Sequence, residues 1–201
     1  IHSFWIPALN GKRDAVPRRI SPWKIEADVP GFYFGQCTEF CGLSHARMQM
    51  QAVAVTPVDF QAWVDEQMQP AAEPTDAAAQ RGLAVFEGQC TRCHVVNGVN
   101  DPGKGADLVA NAAPNLTHLM SRTTFAGGIF DLYEPDGSLN RTQLEAWLRN
   151  APAEKPAYAE GRRGMPAMGL SEGQIDDVVA YLQTLGARPD MEVIAATEVH
   201  P

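Results

Sequence analysis

Apolar positions recur in two different ways along this chain, and the change falls near residue 70. Before it the period is two. Gly31-Phe32-Tyr33-Phe34-Gly35 is an aromatic run between glycines, and Gln49 to Thr56 alternates, with Met50, Ala52 and Ala54 on one face and Gln51, Val53 and Val55 on the other. Such alternation sends successive side chains to opposite faces of a strand. A short helix follows, with Phe60, Trp63 and Val64 at three- and four-residue spacing.

Beyond Gln69-Pro70-Ala71-Ala72-Glu73-Pro74-Thr75, which reads as a Pro- and Ala-rich linker, the period becomes helical. Asp76 is placed to cap a helix running through Leu83 and Phe86 to Cys90. Asn140-Arg141-Thr142-Gln143 has capping-box form and leads into Leu144, Trp147 and Leu148. Ser171-Glu172-Gly173-Gln174 is a second such box, opening the stripe Ile175, Val178, Val179, Leu182 and Leu185 before a stop at Gly186. The pattern predicts an all-β part followed by an all-α part. Phe130 to Gly137 reads as a surface loop of no assigned role, and the tail from Arg188 shows no strong pattern.

Composition narrows this little. A hydrophobic fraction of 45% and a charged fraction of 20% in 201 residues are globular values with room for about two small domains. The net charge of −8 argues against nucleic acid as a partner. No run approaches the roughly 18 apolar residues of a membrane span, and no signal peptide is visible. The opening Ile1-His2-Ser3-Phe4-Trp5-Ile6-Pro7 reads like the middle of a folded domain. The expectation is a C-terminal piece of a longer chain, with any membrane helices upstream.

The four cysteines change the picture more. They form two close pairs, Cys37 with Cys41 and Cys90 with Cys93, each with a His just downstream. That arrangement points to metal chemistry rather than to disulfides. Cys90-Thr91-Arg92-Cys93-His94 matches C-x-x-C-H. Two thiols one helical turn apart can add to the two vinyl groups of one porphyrin, and the adjacent His then reaches the iron. A zinc half-site would need a second ligand pair nearby, and Val95 to Ala113 holds no Cys or His. A redox C-x-x-C would need a βαβ setting, which the pattern lacks. The sixth iron ligand should be a distant Met or His, with His118, Met120, Met165, Met168 and Met191 as candidates.

Residues 79–186 resemble a class I cytochrome c: Gly82 and Phe86 on the first helix, Pro114-Asn115-Leu116 after the haem motif, the Met165-Pro166 loop, and a last helix with Tyr181 and Leu182. The resemblance implies covalent haem c on Cys90 and Cys93, with His94 and Met165 as axial ligands. It also implies that the Pro114 carbonyl holds the His94 ring and that the Gly82–Phe86 face crosses the terminal helix. His118 then reads as a propionate-side or surface residue, and Arg122 as either a propionate partner or a solvated side chain.

Cys37-Thr38-Glu39-Phe40-Cys41-Gly42-Leu43-Ser44-His45-Ala46-Arg47-Met48 gives C-x3-C-x3-H-x2-M. A mononuclear blue-copper loop has a single Cys; two thiolates four residues apart can bridge a copper pair. Thioether is a poor zinc ligand, so Met48 at this offset favours copper over a Cys/Cys/His zinc site. Each copper needs its own imidazole, and His2 is the only other His before the linker. The segment resembles the CuA loop of cytochrome c oxidase subunit II, together with His2-Ser3-Phe4-Trp5-Ile6-Pro7, Lys12, Pro30-Gly31 and Gly35-Gln36. Thr38 and Arg18-Arg19-Ile20-Ser21 depart from that family without touching a ligand. The resemblance implies that Cys37 and Cys41 bridge both coppers. His2 and Met48 complete one, His45 and the Glu39 carbonyl complete the other, and the Glu39 carboxylate faces a magnesium ion shared with subunit I.

The expected architecture is therefore residues 1–68 as the later strands of an all-β cupredoxin-like sandwich, 69–78 as linker, 79–187 as an all-α cytochrome c domain and 188–201 as tail. A copper pair and a six-coordinate haem leave no open position for substrate, so both centres store and pass electrons. The fused order resembles subunit II of caa-type bacterial oxidases. It implies an electron-transfer subunit of a haem–copper oxidase on the extracytoplasmic (periplasmic) face of the membrane. Its implied partners are subunit I, which reduces oxygen, other oxidase subunits, and an external donor such as a cytochrome or bc-type complex. The linker would raise the effective concentration of haem c near CuA. A nitrous oxide reductase with CuA and fused haem c, or a free-standing two-centre carrier, are the alternatives. Trp5, Trp23, Trp63 and Trp147 read mostly as core or interface residues.

Overall fold

A computed structural model describes residues 1–101, 113–158 and 164–189, together with the backbone of Val199 and His200. The first part carries β1 (His2–Phe4), β2 (Arg13–Ala15), β3 (Gly31–Gln36), β4 (Gln49–Ala54) and α1 (Pro57–Gln67). Strands β1 and β2 pair antiparallel, as do β3 and β4 in the register Gly31 to Ala54 through Gln36 to Gln49. Alternation along β3 leaves Phe32 and Phe34 stacked on one face at 6.3 Å, with the buried Tyr33 on the other. A last strand, β7 (Val199–His200), runs parallel to β3 on its outer edge. These are small sheets of the kind expected from the later strands of a cupredoxin-like sandwich. Pro at the first helical position and a Thr56 hydroxyl accepting from the Asp59 amide start α1, yet the helix buries no residue. Trp63, expected in a core or interface, is 49% exposed and stacks on Phe60 at 5.8 Å.

The second part is a helical body. Asp76 caps α2 (Ala77–Gln89) by accepting from the Ala78 and Ala79 amides at 2.9 and 3.2 Å. The helix α4 (Glu172–Leu182) opens on a complete capping box between Ser171 and Gln174. At α3 (Arg141–Glu154) only half of the expected box forms: the Asn140 side chain accepts from the Gln143 amide, while Gln143 Oε1 is buried without a partner among the described residues. Pro152 lacks the amide needed to continue α3, so the helix breaks at Asn150 (φ −158°, ψ 73°), whose side chain accepts from the Ala153 amide and starts a final turn. Helices α2 and α4 cross at Gly82, where a Cβ would lie 1.9 Å from the Asp177 carbonyl oxygen; only hydrogen fits. Phe86 and Tyr181 meet beside that crossing, ring centroids 5.2 Å apart, inside one core running from Phe86 to Leu185.

The segment from Phe130 corrects the surface-loop expectation. Its first residues form β6 (Phe130–Asp131), paired with β5 (Thr124–Phe125), and both Phe130 and Leu132 are buried. The Phe130/Leu132 spacing is a period-two signal too short to stand out beside acidic neighbours; only Glu134 to Gly137 makes a surface turn. The linker is also more than a spacer. The Ala71 amide donates to the Asn97 carbonyl at 2.8 Å and its side chain packs on the helical core.

Candidate metal centres

The first centre depends on one close backbone approach. Gln36 N–H donates to the Trp5 carbonyl at 3.1 Å, and at Gly35 a Cβ would sit 2.0 Å from that same oxygen. The Trp5 amide in turn donates to Met50 Sδ at 3.3 Å. The β1 segment is thereby pinned across β3 and β4, bringing His2 Nδ1 to 3.9 Å from Cys37 Sγ across 35 residues of chain. The loop after Cys37 folds back on itself: the Cys37 amide donates to the Met48 carbonyl, and a 3-10 turn at His45–Arg47 returns Met48 beside Cys41.

The donor atoms converge. Cys37 Sγ lies 3.8 Å from Cys41 Sγ and 3.1 Å from the Glu39 carbonyl oxygen. Cys41 Sγ lies 3.6 Å from His45 Nδ1 and 3.7 Å from Met48 Sδ. Donors each ~2.0–2.3 Å from an ion at tetrahedral angles stand roughly 3.3–3.8 Å apart, and the Cys37–Cys41, Cys41–His45 and Cys41–Met48 spacings fall in that range. All six residues singled out from the sequence for copper are thus together. Burial pushes the Cys41 thiol pKa up, as do the hydrogen bond and charge of Cys37. The Glu39 carboxylate lies 3.8 Å from Lys12 Nζ. Phe40 and Leu43 stand exposed beside it, at 65% and 54%.

The second centre sits where α2 ends. The Cys93 and His94 amides both donate to the Cys90 carbonyl, putting Cys90 and Cys93 on one turn. Burial pushes the Cys90 thiol pKa up to about 11. His94 Nδ1–H donates to the Pro114 carbonyl at 2.8 Å, which fixes the ring and leaves Nε2 as the metal-facing nitrogen. Burial lowers the His94 pKa, and this outweighs the Pro114 hydrogen bond that raises it, so the imidazole is held neutral, the form that binds iron. The donor set therefore fits a covalently held haem.

Of the sixth-ligand candidates, Met165 is half-buried and packs against the core that contains Cys90, while Met168 is outside that cluster. Met120 is itself core, with its amide bonded to the Leu185 carbonyl. His118 donates from Nε2 to the Gln69 carbonyl at 3.0 Å and so ties down the linker. Met191 lies outside the described residues. Arg122 is partly buried and donates to the Asn115 carbonyl, and desolvation lowers its pKa. Sequence reasoning missed Asn100 and Thr117. Asn100 is buried and braces the turn after His94, accepting from the Val96 amide and donating to the His94 carbonyl. Thr117 accepts from the Asn97 amide. Neither residue type signals such bracing without its three-dimensional neighbours.

Residues 1–55 match the family model of the cytochrome c oxidase subunit II periplasmic domain, and residues 79–186 match that of cytochrome c. "Cytochrome c oxidase subunit 2" of Alkalihalophilus pseudofirmus is 34% identical over 191 residues, covering 92% of this chain and 48% of the relative. The protein of that name from Bacillus subtilis is 30% identical over 193 residues, 92% of this chain and 50% of the relative. The one from Cereibacter sphaeroides is 41% identical over 66 residues, 33% of this chain and 22% of the relative. The chain spans about half the length of the curated relatives that it matches along both parts.

Proposed function

Because the chain belongs to the cytochrome c family, with a subunit II periplasmic-domain segment fused ahead of it, we propose that it passes electrons from haem c to a CuA pair within a haem–copper oxidase. The observation that carries this is the convergence of two thiols, two imidazoles, a thioether and a carbonyl at one cluster, together with a C-x-x-C-H turn whose His ring is fixed. When bound, the copper pair and the haem supply reversible one-electron chemistry.

The rest is done by the chain itself. His2, Cys37, Glu39 through its carbonyl, Cys41, His45 and Met48 hold the copper pair; Cys90, Cys93, His94 and Met165 hold the haem. Pro166 biases Met165 toward extended backbone, which suits a strap across a haem face. The working units are 1–68 and 79–187, joined by a linker at 69–78 that is hydrogen-bonded at both Gln69 and Ala71. The Glu39 carboxylate, with the exposed Phe40 and Leu43, forms the face toward subunit I and a shared magnesium ion. The segment lies on the extracytoplasmic side, in line with the periplasmic-domain match, and membrane attachment comes from upstream helices. No helix among the described residues is long and apolar enough to cross a membrane. An external cytochrome or bc-type complex is the donor.

Metal analysis and optical titration of the loaded chain test this reading. A copper pair and one haem are expected. Cys37→Ser or Cys41→Ser should remove the mixed-valence copper signal and leave the haem. Met165→Ala should remove the sulfur–iron absorption band and lower the haem potential, whereas Met168→Ala should do neither. One zinc and no copper, or Met168 or His118 on the iron, would overturn the assignment.

A further inference from the structure

The helical half sits directly against the copper loop. Ala126, Gly127 and Gly128, the turn between β5 and β6, all have left-handed backbone (φ 55°, 82° and 73°). The Gly127 carbonyl accepts from the Gln49 amide at 3.1 Å, one residue after Met48. A Cβ at Gly128 would lie 2.9 Å from the Gln49 carbonyl oxygen, so the approach is backbone against backbone. Around this point the Arg47 guanidinium donates to the Glu154 carbonyl and lies over the Phe130 ring at 5.5 Å. Ser44 Oγ donates to the Pro156 carbonyl at 2.8 Å, and Thr123 Oγ1 to Gln51 Oε1 at 2.6 Å.

Lys155 stands at the middle of this contact. The break in α3 turns it back, and its half-buried ammonium donates to the Ala126 carbonyl at 2.8 Å. A Cβ on Gly127 would be 2.9 Å from Lys155 Nζ and 3.7 Å from Met48 Cε, so the ammonium and the thioether flank the same glycine. Met48 Sδ in turn lies 3.7 Å from Cys41 Sγ.

We propose that the 126–128 turn is a docking tongue and that Lys155 is a positioning residue of the copper centre, placing a positive charge beside the Cys41–Met48 side of the loop. The helical half then does more than deliver electrons: by docking, it raises the reduction potential of the copper pair. This rests on the CuA and haem c reading above. A cation near a site that gains an electron stabilises the reduced form, and the low local dielectric strengthens the effect. Undocking leaves Lys155 and the haem centre in the same half, so the haem potential is expected to respond little to docking itself.

The test is a spectroelectrochemical titration of the full chain with both centres loaded, following the copper near-infrared band and the haem band separately. Lys155→Met should shift the haem-to-copper electron equilibrium toward haem by roughly fivefold, about 40 mV on a one-electron couple where tenfold is 59 mV. Lys155→Arg should keep the original value. Gly128→Val, which clashes with Gln49, should produce the same copper shift by undocking, with no further shift when combined with Lys155→Met. A copper potential unchanged in Lys155→Met, equal shifts for Met and Arg, or additive shifts in the double variant would overturn the proposal. A wild-type chain lacking either centre would instead overturn the reading on which it rests.

Discussion

The two halves organise their centres in opposite ways. In the helical half, fourteen buried residues among those described, from Phe86 to Leu185, form one core, and the haem motif hangs from the end of a helix that is part of it. In the β half the buried apolar residues among those described are Ile6, Phe32, Tyr33 and Cys37, and α1 buries nothing. The copper loop is held mainly by backbone: Gln36 on Trp5, Cys37 on Met48, and Gln49 on Gly127 of the other half. Hydrogen bonds position groups well but contribute only about 1 kcal/mol each in water, whereas burial of a large apolar side chain contributes ~2 kcal/mol. A site can thus be geometrically sharp while the unit that carries it is thermodynamically thin.

Separating the halves breaks the comparison most severely. Residues 1–68 expressed alone should fail to fold or should aggregate, and should assemble no copper pair. Residues 69–201, produced with haem-attachment machinery outside the cytoplasm, should fold as a red, Met-ligated cytochrome. Circular dichroism and metal analysis decide it; a stable purple copper protein from 1–68 would show that four buried apolar side chains suffice.

A more local break lies at the α2–α4 crossing. Gly82→Val forces a side chain into the Asp177 backbone and should destabilise the helical half by roughly 3 kcal/mol. Thermal unfolding followed at the haem band should fall accordingly, with the copper band affected only once the helical half has melted. An unchanged midpoint would mean that the two helices separate at little cost.

The smallest effect sharpens the role of the linker. His118→Ala removes one hydrogen bond to the Gln69 carbonyl and should lower stability by about 1 kcal/mol. The haem spectrum should stay unchanged, since His118 Nε2 is engaged with the linker. Loss of the axial ligand signature would reassign His118 to the iron.

What the sequence alone determined was local. Cys90 to His94 and Cys37 to Met48 carry their chemistry within one turn and one loop, so residue type and spacing are legible without a fold, as are the caps at Asp76 and Ser171. The tertiary structure decided everything that required a choice between distant partners. It brought His2 to Cys37, committed His118 to the linker, withheld the Gln143 side chain from its cap, and buried Phe130 and Leu132 where a surface loop was expected. It also set Lys155 beside Met48. Spacing along the chain sets what neighbours can do together; which remote groups meet depends on how all the surfaces pack at once, and no stretch of sequence contains that competition.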